Sequence, residues 1–133
     1  MIYLRLAIVN VMGAYLVCNV MRVILDYVRY HNSGIRKGEF SELIALFAPE
    51  AELKFEGSSF GPFQGRAVIG NAFRSHPPDQ ELELYNIELD GAGGTVTYGW
   101  RGAPTEYGTF RVDVLDGLIE KVVVHCSCQV QPA

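Results

Sequence analysis

Arg111 and Asp113 lie two residues apart in a segment that alternates between polar and apolar side chains. In a strand, residues two apart share a face, so these two side chains would be neighbours. An arginine can hold an anion, and a nearby carboxylate can act as a general acid or base. That chemistry needs Arg111 and Asp113 to face the interior, whereas burial favours Phe110 and Val112 there. In the second case the polar residues form a solvated or interfacial face of a sheet.

Aromatic residues offer a different kind of chemistry, the binding of a flat apolar molecule. Val96, Tyr98 and Trp100 alternate along one segment and would share a strand face. Tyr27 lies on the apolar stripe of a helix, where its hydroxyl could reach a cavity. A pocket wall and a filled core have the same pattern in sequence, so an ordinary core is the alternative.

The bulk properties exclude several classes of function. The sequence contains no nucleotide-binding loop, zinc-protease motif, kinase signature or nucleophile elbow, and we expect no cofactor. Cys126 and Cys128 could share a strand face, but two thiolates without a second ligand pair do not form a zinc site, so no metal is expected. A net charge of -4 argues against a nucleic-acid partner. Three cysteines are typical of a reducing, cytoplasmic protein.

The start of the chain is an uncharged run from Leu6 to Met21. It is shorter than the ~20 residues that span a bilayer as a helix, and it contains two asparagines, so a membrane role is not expected. We expect residues 1–18 to form an apolar leader that is docked or lies in an interface. Residues 19–133 are expected to form one domain.

Apolar periodicity and turn residues divide the remainder into helices followed by strands, the pattern of an α+β fold. The first helix is expected to end at Gly34 as its cap, and Pro49 is expected to stop the second. Near the end of the third, His76 is expected to interact with the helix dipole. The predicted helices are Asn19–Gly34, Ser41–Ala48 and Arg66–His76. The predicted strands are Ala51–Glu56, Gln80–Leu89, Thr95–Arg101, Glu106–Leu115 and Leu118–Cys128, with a glycine turn at Gly91–Gly94 and a hairpin at Asp116-Gly117.

The segment from Gly38 to Arg66 carries a family resemblance. It contains a short helix with Leu43, Leu46 and Phe47, then a strand, then the turn Gly61-Pro62-Phe63-Gln64-Gly65. This order resembles the SnoaL-like branch of the nuclear-transport-factor-2-like superfamily, which includes the ketosteroid isomerases. The resemblance extends over about Val20 to Cys126. It implies a cone-shaped roll in which three N-terminal helices pack on a curved, mostly antiparallel sheet around an apolar pocket.

In the ketosteroid isomerases, a strand aspartate removes a proton, while a helix tyrosine and a second acid hold the oxyanion. Aligned through Ala51–Lys54, the position of the base falls on Phe55, which cannot exchange protons. Glu56 would point to the other face unless a bulge turned it inward. The position of the second acid falls on Phe110 or Arg111, depending on the end from which residues are counted. We therefore expect no appreciable isomerase turnover. The catalytic candidates are Tyr27, Glu56, Arg111 and Asp113.

The resemblance and the aromatic strands together predict a protein that binds a small apolar molecule in the cone. An isomerase, cyclase or hydrolase acting by proton transfer is the class of enzyme implied. The alternative is a non-catalytic dimerisation or protein-interaction module with a filled cone. A homodimer through the outer sheet face is expected, because Val123 would otherwise be exposed there. The predicted pocket residues are Tyr27, Phe47, Phe55, Phe73, Tyr98, Trp100, Phe110, Val112 and Val124.

Overall fold

The computed structural model describes residues 11–103 and 105–126. Two helices come first, β1 and β2 precede the third helix, and the last four strands follow in one run. One mostly antiparallel sheet with separate helices confirms the predicted α+β class. No helix in these two ranges is both long enough and apolar enough to cross a membrane. In chain order the elements are α1 (Val11–Lys37), α2 (Ser41–Ile44), β1 (Phe47–Glu56), β2 (Phe63–Gln64), α3 (Arg66–Ser75), β3 (Leu82–Asp90), β4 (Gly93–Trp100), β5 (Gly108–Leu115) and β6 (Leu118–Cys126).

The six strands form one curved, open sheet in the order β2-β1-β6-β5-β4-β3. Neighbouring strands are antiparallel except β1 and β6, which are parallel. Pairing is irregular in β1, in β3 and between β5 and β6, and such bulges bend a sheet. The helices α1 and α3 lie against the sheet, and α2 contacts both of them. This is the predicted cone-shaped roll.

The hydrophobic core lies between α1 and the concave face of the sheet. Val20, Val23 and Ile24 of α1 are fully buried, as is Val96 of β4. On β5, Phe110, Val112 and Val114 are buried, whereas Thr109, Arg111 and Asp113 remain partly exposed. This apolar set therefore faces inward, as burial favours. The concave face is therefore the apolar side of the sheet.

The first helix differs from its prediction at both ends. It is continuous from Val11 to Lys37, so it crosses the expected boundary between residues 18 and 19 without a break. Residues 1–10 lie outside the described part of the chain, and a docked leader stays a prediction. Gly34 is not the cap; Gly38 takes this role with a φ of 77° and donates its N–H to the carbonyl of Gly34. Position 34 has no room for a side chain, because the ring of Phe40 packs against the glycine.

The second helix is shorter than predicted, and β1 is longer. Helix α2 ends at Ile44, and Phe47 already belongs to the strand. Pro49 therefore lies inside β1, in the stretch between Phe47 and Glu52 where the pairing with β6 shifts. Proline has no N–H to donate to a sheet, so a bulge accommodates it. Helix α2 begins at Ser41, the start of the predicted helix.

The β5–β6 hairpin forms as predicted. Asp116 and Gly117 both have positive φ, 53° and 80°. Leu115 and Leu118 pair on either side of them. A two-residue loop with two positive φ angles matches the twist of antiparallel strands, and glycine adopts such angles without strain. Strand ends elsewhere move by a few residues; for example, β3 begins at Leu82 and β5 at Gly108.

Candidate ligand-binding cavity

A cavity of about 240 Å³ lies between the concave face of the sheet, α1 and α3. Its wall is almost entirely apolar. Seven of the nine predicted pocket residues line it, namely Tyr27, Phe55, Phe73, Tyr98, Trp100, Phe110 and Val124. The wall also contains His31, Leu53, Phe60, Ala72, His76, Pro78 and Leu82, which were not predicted as pocket residues.

One wall is a cluster of aromatic rings on adjacent strands. Tyr98 and Trp100 are two apart on β4, and their ring centroids are 5.4 Å apart. Phe110 of β5 lies 5.6 Å from Tyr98 and 5.3 Å from Tyr27. Tyr107 packs on Trp100 at 5.1 Å. Tilted and edge-on contacts at these distances are the preferred geometry of aromatic pairs, so each ring holds its neighbour in place.

Two predicted pocket residues, Phe47 and Val112, do not reach the cavity. Both are fully buried, and Phe47 packs edge-on against the outer side of Tyr27 at 6.3 Å. They are core residues behind the wall. Trp100, Phe55 and Tyr27 line one interior volume.

The mouth of the cavity lies between the loop that precedes β2 and the end of α3. Phe60 and His76 are exposed, although both line the cavity, and their rings meet at 5.3 Å. Phe60 also contacts Phe55 at 5.4 Å and Phe63 at 4.9 Å. His76 was expected to interact with the helix dipole, and in the structure it also lies at the entrance of the cavity. A ligand would enter past these aromatic side chains.

Two buried polar side chains face the apolar interior from α1. Tyr27 and His31 are one helical turn apart, and each is less than one-tenth exposed. The Tyr27 hydroxyl has no hydrogen-bond partner among the described residues. No fully enclosed side-chain oxygen or nitrogen in that part of the chain lacks a partner, so this hydroxyl is not fully enclosed, and Tyr27 lines the cavity. Burial raises the pKa of Tyr27 well above its usual value, and the hydroxyl stays protonated.

His31 is held by its neighbour in the chain. Its Nδ1 lies 3.2 Å from Oδ1 of Asn32. Asn32 in turn accepts from the N–H of Leu82 at 2.8 Å and donates to the carbonyl of Leu82 at 3.0 Å. Burial lowers the pKa of His31, so the ring is neutral near neutral pH. The sequence offered one signal for His31, its position one turn after Tyr27 on the same apolar stripe.

Arg111 and Asp113 lie on the outer face of the sheet, away from the cavity. Arg111 forms two hydrogen bonds of 2.7 and 2.8 Å with Asp90, and its Nε lies 3.1 Å from Asp113. Asp90 raises the pKa of Arg111 and has its own pKa lowered in return. The catalytic roles suggested for Arg111 and Asp113 required the polar face to point inward, and it does not.

Glu56 also points away from the cavity. Phe55 lines the wall, and Glu56 pairs with Lys54 at 3.4 Å on the opposite face of β1. The irregularity of β1 lies between Phe47 and Glu52, so no bulge turns Glu56 inward. Among the described residues the cavity wall contains no carboxylate, and no cluster of three or more potential metal ligands occurs there. Of the four catalytic candidates, only Tyr27 reaches the cavity.

Solved structures of known proteins resemble this chain at low sequence identity. No protein-family model and no curated protein matches it. A solved structure described as a candidate ketosteroid isomerase from Kribbella flavida is 20% identical, with a TM-score of 0.66, over 81% of this chain and 77% of its own. A Mycobacterium tuberculosis protein in complex with estradiol-17β-hemisuccinate is 15% identical, with a TM-score of 0.63, over 80% and 92%.

A third structure is described as a candidate polyketide cyclase from Sinorhizobium meliloti. It is 22% identical, with a TM-score of 0.56, over 74% of this chain and 93% of its own. Likenesses at such low identity establish the fold and leave the activity open. Together with the helix order, the bent six-stranded sheet and the internal cavity, they show that this chain has the nuclear-transport-factor-2-like fold of ketosteroid-isomerase-like and SnoaL-like proteins.

Proposed function

We propose that this protein binds a small, flat, mostly apolar molecule inside the cone. The observation that carries the proposal is a cavity walled by aromatic residues, with two polar groups at one side. Ligand sites in proteins have this composition, an apolar lining with a few polar groups that orient the ligand. The ring system of the ligand would lie against Tyr98 and Trp100. Any oxygen it carries would face Tyr27 and His31.

The cavity volume limits the size of this ligand. An engineered apolar cavity of about 150 Å³ is known to bind benzene. A volume of about 240 Å³ therefore suits one or two fused rings. It falls just below the roughly 300 Å³ at which typical ligand pockets begin. A larger polycyclic ligand would have to extend through the mouth, between Phe60 and His76.

The structural neighbours support the class of ligand. One of them was solved with estradiol-17β-hemisuccinate, a polycyclic and largely apolar compound. Two others are described as a candidate ketosteroid isomerase and a candidate polyketide cyclase. We extend the ligand class, but not the reaction, to this chain.

We propose binding rather than ketosteroid isomerisation as the main activity. A general base must lie within about 2.6–3.2 Å of the proton it removes. Phe55 occupies the position expected for that base, and Glu56 faces the other side of the sheet. The rival hypothesis of a protein-interaction module requires a filled cone, and the cavity is an argument against it.

Fluorescence of Trp100 provides the test, because it is the only tryptophan of the chain. We expect flat one- and two-ring compounds that absorb outside its excitation band to change its emission at saturating concentrations. Ala72→Leu should weaken binding, because Ala72 lines the cavity and the larger side chain occupies ligand space. Ala67→Leu makes the same change at an exposed position of α3 and should leave binding unchanged. An emission spectrum unchanged by every ligand, or equal affinities for both variants, would contradict the proposal.

A further inference from the structure

The orientation of the Asn32 amide fixes which nitrogen of His31 carries the proton. Asn32 bonds both backbone groups of Leu82, with its oxygen on the N–H and its NH₂ on the carbonyl. Turned over, the amide would place donor against donor and acceptor against acceptor. Oδ1 is therefore the atom that lies 3.2 Å from Nδ1 of His31. Because Oδ1 can only accept, Nδ1 must be the protonated nitrogen.

The other nitrogen of His31 is consequently an acceptor. A neutral imidazole with its proton on Nδ1 has a lone pair on Nε2. Nε2 has no partner among the described residues, and no enclosed side-chain nitrogen in that part of the chain is left unpaired. Nε2 is therefore not fully enclosed, and because His31 lines the cavity, we place Nε2 at the cavity surface. The His31 residue as a whole is more than nine-tenths buried.

We infer that the ligand carries a neutral hydroxyl, as an alcohol or a phenol, whose O–H donates to Nε2 of His31. This inference rests on the proposed function and adds the chemical class of the ligand. A ketone or an ether in the same place offers only lone pairs and leaves Nε2 without a partner, at the cost of a buried unsatisfied acceptor. The Tyr27 hydroxyl faces the same cavity and can donate to a ligand oxygen.

Matched ligand pairs test the preference by calorimetry. We expect 2-naphthol to bind about tenfold more tightly than 2-methoxynaphthalene, and 1-tetralol about tenfold more tightly than 1-tetralone. His31→Phe keeps an aromatic ring but removes the acceptor, so both ratios should fall to about one. Tyr27→Phe removes the other hydroxyl and should leave the ratios well above one. Equal affinities within both pairs for the unmodified protein would overturn the inference.

The two levels of the proposal can fail separately. If none of the four compounds binds, the cavity is not a ligand site, and the proposed function falls together with the inference. If all four bind with equal affinity, the proposed function stands and the hydroxyl preference is refuted. Nitrogen NMR of the unmodified protein gives a readout that depends on no variant. It should show His31 protonated on Nδ1, and a proton on Nε2 would contradict the inference.

Discussion

Leu82 is the first residue of β3, an edge strand of the sheet. On its open side, the side chain of Asn32 takes the place of a neighbouring strand. The Asn32 amide pairs with both backbone groups of Leu82 and joins α1 to the sheet across 50 positions of sequence. All the atoms involved are buried. A buried backbone N–H or carbonyl without a partner costs about 1–3 kcal/mol, so this single side chain stabilises the approach of α1 to the sheet.

We expect Asn32→Ala to lower the free energy of unfolding by about 2 kcal/mol, because it leaves both backbone groups of Leu82 unpaired. Chemical denaturation followed by circular dichroism would measure the loss. Asn86→Ala removes the same side chain at an exposed position of β3 and should change the free energy of unfolding by less than about 0.5 kcal/mol. Equal losses for the two variants would show that the Asn32 pairing contributes nothing special.

His31 makes folding stability depend on pH. Burial lowers its pKa in the folded protein below the ordinary value of 6.5. The unfolded chain therefore takes up a proton at a higher pH than the folded one does. This contribution to stability is complete above about pH 6.5 and is lost as the pH falls from there through the folded-state pKa. Denaturation curves between pH 7 and pH 5 should show the decline, and His31→Phe should show a smaller one. An unchanged slope in the variant would assign the dependence to other groups.

At the scale of elements, glycine at Gly93 lets a charged side chain cross a strand. Arg111 of β5 reaches over β4 to Asp90 of β3. A Cβ at Gly93 would lie 2.6 Å from Nη2 of Arg111 and 2.6 Å from the carbonyl oxygen of Val112. Both contacts are too short to exist, so the ion pair and the close backbone approach require the missing side chain.

Gly93→Ala should therefore move Arg111 off Asp90 and lower the free energy of unfolding by about 1–3 kcal/mol. Thermal denaturation would measure the loss, and the distance between the two side chains would be seen in a crystal structure of the variant. Thr95→Ala provides the control. Thr95 lies two residues further along the same face of β4, and because it is partly exposed, its truncation should change stability less. A Gly93→Ala variant as stable as the control would contradict the argument.

The same glycines show where sequence reasoning succeeds and where it fails. The run Gly91–Gly94 is typical of a turn, yet Gly93 and Gly94 belong to β4. Glycine is needed at these two positions because other elements pack closely against them. A Cβ at Gly94, for example, would lie 2.9 Å from Ile24 of α1. Such contacts do not exist before the fold is known. Alternation along β5 separated Phe110 from Arg111, because the strand period is two, and burial favoured Phe110 as the inward residue. The structure decides between the two faces.

The residues of the cavity wall also fall into those that sequence patterns predict and those that they miss. Tyr98, Trp100 and Phe110 were predicted as wall residues because they alternate on regular strands. Phe60 belongs to a loop whose position depends on how the aromatic side chains around the mouth pack. Leu53 alternates with Phe55 on β1 and lines the cavity, but it was not among the predicted pocket residues. Pattern alone distinguishes the inner face from the outer one, and it does not distinguish a wall from a packed interior.

At the scale of the whole molecule, the outer face of the sheet is mostly charged and partly neutralised by ion pairs. Lys121 lies 3.6 Å from Glu52, and Arg111 pairs with Asp113. Val123 is an apolar residue on β6 within this surface and is half-buried in the single chain. Polar rims around small apolar centres are typical of protein–protein contacts. A homodimer through this face therefore stays our prediction.

Light scattering at micromolar concentration should give twice the 14.7 kDa mass of one chain. Val123→Asp should convert the dimer to a monomer, because a carboxylate at the centre of a two-fold interface would meet its own copy without a partner. Val68→Asp makes the same change on an exposed position of α3, on the other side of the molecule, and should leave the dimer intact. If the unmodified chain has the mass of a monomer, the outer face is an ordinary solvated surface. If Val123→Asp remains dimeric, the contact lies on another face.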